Sequence, residues 1–241
     1  MTAALSRTQP THSTFFTTCC SKIDRFCEAI YKLAMKIIQS LKRCFGGESH
    51  PRTMTNRTVP VSNTTLGAHA RNVLQFYRDG LPNHDGVTLG QMLRWDDPQL
   101  EQVHNYIQWL FPLEVQSDYN SAAPILDAVT IHAFNNDQDL KSRLFSAFHR
   151  MLQFYGLQLD VPSGAIVRAP NFNARAAVWL TPGNHNFLRI TRIIHSMAVL
   201  GLPQYARALQ RIMLQIANNE GDSVISRSTQ AYWRQAYHPS T

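Results

Sequence analysis

Apolar residues recur at helical spacing through most of this chain. Ile23, Phe26, Ile30, Leu33, Ile37 and Leu41 follow one another at intervals of three and four, which predicts a helix over 22–45 with one apolar side. Lys22, Arg25, Lys32, Lys36 and Arg43 fall mainly on its other side, and Gly46-Gly47 ends it. Leu66, Ala70, Val73, Leu74 and Tyr77 mark a second helix. A third opens at Pro98 with Asp97 as its N-cap, carries Val103, Ile107, Leu110 and Phe111, and stops at Pro112. Leu140, Leu144, Phe148, Met151 or Leu152, and Tyr155 give another, closed by Gly156. Next come a helix from about His185 to Leu200, stopped by Gly201, and one through Tyr205, Leu209, Ile212 and Ile216. A last helix spans Ser223 to Tyr237, docked by Trp233. Leu157 to Val167, turning at Pro162-Ser163-Gly164, reads as a small hairpin.

The expected fold is therefore all-α: one compact helical domain with room for one small β-hairpin, preceded by a disordered segment and an amphipathic helix. Residues 1–21 are polar and rich in Thr and Ser, 46–65 read as a linker, and 218–241 as a C-terminal helix and tail. No βαβ alternation and no internal repeat appears.

Charge sharpens this division. Residues 1–65 hold nine Lys/Arg against three Asp/Glu, whereas residues 66–241 hold fourteen against thirteen. The basic balance belongs to the N-terminal part, and a near-neutral domain argues against a nucleic-acid binder. All four cysteines, Cys19, Cys20, Cys27 and Cys44, also precede residue 66. A basic amphipathic helix can lie in a membrane interface, each cation near an anionic surface contributing about 1 kcal/mol at best. Acylation of Cys19, Cys20 or Cys44 would supply the second signal that stable anchoring needs. The alternatives are that this helix packs on the domain or on another copy of itself, or that the cysteines serve a metal or disulfide. Residues 1–18 lack an apolar h-region, and no stretch approaches the roughly eighteen apolar residues of a spanning helix. The expectation is an intracellular protein, peripheral at the cytoplasmic face of a membrane.

Standard catalytic and cofactor signatures are missing. There is no P-loop, dinucleotide glycine pattern, His-Glu-x-x-His or Gly-x-Ser-x-Gly, so no cofactor and no metal is expected. One constellation stands out. Spacing puts His185, Arg189, Arg192 and Ser196 on one helical face, and paired guanidinium groups suit a carboxylate or phosphate. They would grip the end of a short peptide or an anionic small ligand. The competing reading pairs these arginines with Asp96, Asp97 or Glu101 of the domain itself. His104 and Gln108, four apart, read as polar contacts in a ligand cleft or as groups bonded to a neighbouring loop. Asn105 and Asn186, each following a histidine, read as caps or loop-pinning groups.

The words that contain these residues carry a family likeness. His104-Asn105-Tyr106-Ile107-Gln108-Trp109-Leu110-Phe111-Pro112 is echoed by His185-Asn186-Phe187-Leu188-Arg189-Ile190-Thr191-Arg192-Ile193. Around them, in order, stand Phe76-Tyr77-Arg78, Asp85-Gly86-Val87, Trp95-Asp96-Asp97, Tyr119-Asn120, Ala123-Pro124, Arg150 to Leu157, Trp179 and Leu200-Gly201-Leu202. Together they resemble the conserved domain of the opioid growth factor receptor family, over residues 66–217. That resemblance implies a receptor-like, peptide-binding helical module and brings no agreed catalytic residues. Two other readings stay open: an enzyme holding an anionic substrate between Arg189, Arg192 and His185, and a protein-interaction adaptor.

Overall fold

The computed structural model describes residues 73–117 and 120–237. The segments expected at 1–21, 22–45 and 46–65, with Cys19, Cys20, Cys27 and Cys44, lie outside the described residues. So does the start of the helix expected from Leu66.

A π-helical turn, Gln75–Asp79, is followed by α1 (Leu89–Met92), α2 (Asp97–Gln102), α3 (Ile107–Leu110), α4 (Ala128–Asn136) and α5 (Gln138–Tyr155). The hairpin β1 (Leu157–Asp160) and β2 (Ala165–Arg168) comes next. Then follow α6 (Phe172–Trp179), α7 (Asn186–Val199), α8 (Pro203–Glu220) and α9 (Arg227–Ala236). Among the described residues the fold is helical with one two-stranded antiparallel sheet, as the spacing predicts.

The core forms where the apolar stripes of α5, α7 and α8 meet. Leu144, Phe148 and Met151 of α5, Ile190, Ile193 and Met197 of α7, and Leu209, Met213 and Ile216 of α8 are all buried. Helices α7 and α8 pack against each other, and α9 crosses α7. The C-terminal helix is thus part of the same core, held by the fully buried Trp233.

The helix expected from Pro98 to Phe111 is two short ones. Asp96, not Asp97, is the N-cap, its carboxylate accepting the Gln99 N–H at 2.8 Å. Asp97 is instead held by Arg150 at 2.7 Å and Arg175 at 3.2 Å. At Val103 the backbone turns extended (φ −84°, ψ 133°), and its carbonyl accepts from a side chain of α7 instead of from the next helical turn. Helices α1, α4 and α6 have no counterpart in the periodicity. They are short, and their ends are set by caps such as Asp127, which accepts the Thr130 N–H at 2.7 Å.

Gly156 closes α5 in the left-handed region (φ 70°), and a Cβ placed there would lie 2.8 Å from the Phe172 Cα. Left-handed backbone costs a non-glycine residue about 1–2 kcal/mol, and overpacking adds about 1–3. Gly156→Ala should therefore destabilise by about 2–4 kcal/mol in urea melts. Gly164, at φ 68° with open space around it, is the control. Gly164→Ala should cost only the backbone component, about 1–2 kcal/mol.

Candidate functional site

One face of α7 gathers the residues singled out by their spacing. Arg189 is 5% exposed, so its donors must be met inside the protein. Nη1 donates to the Leu100 carbonyl at 2.9 Å and to Asn186 Oδ1 at 3.1 Å. Nη2 donates to the Val103 carbonyl at 2.8 Å and approaches that of Glu101 at 3.5 Å. The Glu101 carboxylate lies 3.9 Å from Nη1, and the guanidinium sits 5.3 Å above the Tyr106 ring. The planar fork thus collects the orphan carbonyls at the end of α2.

The same face continues the pattern upward. Arg192 Nη1 donates to the Phe111 carbonyl at 3.2 Å, and Ser196 Oγ to the Pro112 carbonyl at 2.9 Å. Burial lowers the Arg192 pKa to about 10, which leaves it charged at neutral pH. His195, which the spacing did not single out, meets Glu114 Oε2 at 3.1 Å and the Ala236 carbonyl at 3.2 Å. Both partners accept, so both bonds coexist only when the ring carries two protons. Burial of Glu114 pushes its pKa up, but the His195 hydrogen bond and charge, with its own backbone N–H, hold it below the usual carboxylate range.

His185 stands at the open end of this face. Its ring is tilted against His104, centroids 5.1 Å apart. Nε2 lies 3.5 Å from Glu101 Oε1, within ion-pair range but without hydrogen-bond geometry. Asn186 donates to Glu101 Oε2 at 3.0 Å. The structure therefore brings together His104, His185, Arg189 and Glu101. Gln108 is turned inward, 7% exposed, its amide nitrogen donating to the Asn105 carbonyl at 2.8 Å. It does not share an outward face with His104, which is exposed.

Loop residues that the sequence did not single out, Asn83 and His84, complete the frame together with Asp85. Asn105 donates to Asp85 Oδ2 at 2.6 Å, and Trp109 Nε1 to His84 Nδ1 at 3.1 Å. Asn83, only 6% exposed, turns this loop by accepting the Asp85 and Val87 N–H groups. The only available signal was the Asp85-Gly86-Val87 word itself. Among the described residues no cluster of His, Cys, Asp and Glu could hold a metal ion, and no helix is long and apolar enough to cross a membrane.

The two histidine words thus meet in space, one helix gripping the backbone of the other. Such a many-point contact calls for several separate words in fixed order. The family described as the opioid growth factor receptor (OGFr) conserved region matches residues 67–238. The chain belongs to that family. It is 38% identical over 146 residues to opioid growth factor receptor-like protein 1 of Xenopus tropicalis, covering 59% of this chain and 28% of that protein. It is 40% identical over 149 residues to the opioid growth factor receptor of Mus musculus, covering 59% and 23%. The human receptor is 39% identical over 149 residues, covering 59% and 21%. The chain spans about a quarter of the length of these curated relatives. No solved structure matches it.

Within this OGFr domain, His185 makes stability depend on pH. Burial lowers its pKa, as does Arg189, while Glu101 opposes them and His104 adds to the lowering. A base with a depressed folded pKa binds fewer protons folded than unfolded, so stability falls as pH drops through about 6.5. Melts of wild type should lose more between about pH 7.5 and 5.5 than those of His185→Gln. Parallel pH profiles would rule this out.

Proposed function

We propose that this OGFr domain is a non-catalytic, receptor-like peptide-binding module, held at a membrane surface by its N-terminal segment. One observation supports it above others. Arg189, Arg192 and Ser196, the groups chemically fitted to hold an anionic substrate, are engaged by main-chain carbonyls of residues 100–112. An enzyme needs such donors directed at reacting atoms, whereas a binding module needs a firm frame and an open cleft. The relatives' names, opioid growth factor receptor, favour the same reading. The membrane part draws on the apolar stripe of 22–45 and the basic excess of residues 1–65.

Two assays test this. The full chain, immobilised, is exposed to pooled random hexapeptides, with heat-denatured chain as control. Enrichment on the native chain supports the peptide reading, and equal recovery from both contradicts it. Sedimentation with phosphatidylserine vesicles should pellet the full chain, and deletion of 1–50 should release it. Pelleting unchanged by the deletion would defeat the membrane reading.

A further inference from the structure

Among the described residues the outer edge of β2 is unpaired. The sheet has two strands, so β2 has β1 on one side only. Its register pairs Leu157 with Arg168 and Gln158 with Val167. The Ala169 N–H donates to the Gly156 carbonyl at 2.9 Å, which fixes the phase of the ladder. By the alternation of an antiparallel pair, Gln158 and Val167 exchange hydrogen bonds, while the N–H and C=O of Ile166 and Arg168 face away from β1. No loop or helix backbone group among the described residues bonds to them.

That edge borders the groove between β2 and α8. The groove encloses about 510 Å³, within the range of ligand sites, and no residue of β1 lines it. Ala208, Ile212 and Ile216 of α8 supply apolar lining, and Arg168 and Arg211 supply cations. Arg211 is exposed and has no ion-pair partner among the described residues. Arg168 has only a loose one, Glu220 at 3.8 Å. The combination of bare strand edge, apolar wall and two cations against one carboxylate matches an extended peptide that carries negative charge.

We propose that the β2–α8 groove binds an extended, acidic peptide segment by strand addition. The peptide's main chain pairs with Ile166 and Arg168. Alternate side chains rest on Ala208 and Ile212, and a carboxylate meets Arg211. This names the site and ligand class for the peptide-binding reading above and rests on it.

The test uses two pools of biotinylated hexapeptides on the full chain. Val, Ile or Leu occupies alternate positions, and the last residue is Glu in one pool and Lys in the other. The Glu pool should be retained about tenfold better, because it offers Arg211 a charge-assisted partner. Arg211→Glu should reverse that preference. Arg168→Pro removes an edge N–H as well as a cation, whereas Arg168→Ala removes only the cation. Retention should therefore fall further for the proline variant, and circular dichroism melts confirm that each variant is folded. If Arg168→Pro unfolds the chain, amide shifts of Ile166 and Arg168 in labelled wild type replace it, and their absence on peptide addition rejects strand pairing. Retention indifferent to the last residue and to Arg211→Glu overturns the groove while leaving peptide binding intact. Failure of both pools, together with no enrichment of random hexapeptides, overturns both readings.

Discussion

Arg189→Ala is expected to be among the most damaging single changes in this domain, although Arg189 touches no solvent-facing cleft. Its side chain serves the carbonyls of Leu100 and Val103 and the Glu101 carboxylate from a site that is 5% exposed. Alanine would leave these acceptors without donors in a place water reaches poorly. Breaking a buried charged contact of this kind costs about 3–5 kcal/mol. Against a typical total of roughly 5–15 kcal/mol, that removes a large share of the stability. For a domain of this size the melting temperature should fall by about 10 °C. Arg189→Lys keeps the charge but loses the planar fork, so it should recover less than half of the deficit. A melt of Arg189→Ala within 2 °C of wild type, roughly 1 kcal/mol or less, would show that α7 does not hold α2 in this way.

The second large effect is expected at the other end of the chain. Trp233 is fully buried, stacks edge-on against Phe187 with centroids 5.8 Å apart, and donates Nε1–H to the Phe187 carbonyl at 3.1 Å. Removing a buried tryptophan side chain costs about 3–5 kcal/mol. Trp233→Ala should therefore detach α9, seen as faster proteolytic cleavage between α8 and α9 as well as a lower denaturation midpoint. Trp233→Phe keeps much of the packing. Because Thr191 Oγ1 also donates to the Phe187 carbonyl at 3.0 Å, that acceptor stays bonded, and the loss should be only about 1 kcal/mol. Equal costs for the two substitutions would mean that the hydrogen bond, not the ring, anchors the helix.

The long helices were legible because a single apolar stripe runs through each. Helix α5 shows its stripe from Leu140 to Tyr155 and its glycine stop, α7 its stripe and Gly201, and α8 its stripe. The hairpin was legible from Pro162-Ser163-Gly164 between two short apolar runs. Spacing misjudged the stretch from Pro98 to Phe111, where the apolar residues keep helical intervals although the backbone breaks at Val103. The Val103 carbonyl is held there by Arg189, 86 residues away, a contact that no local pattern carries. The candidate site shows the same limit. Spacing alone placed Arg189, Arg192 and Ser196 on one face, but whether that face met solvent or carbonyls depended on which segment packed against it. The β2–α8 groove was invisible for the same reason, since α8 and the hairpin are joined only by tertiary packing.

The most direct test of this account is a ¹⁵N–¹H correlation map of the full chain titrated with the Glu-ended hexapeptide pool. The amides of Ile166, Val167, Arg168, Arg211 and Gln215 should shift, with those around the two histidine words unmoved. Shifts centred on Glu101, His104 and His185 would contradict it and restore the α7 face as the binding site.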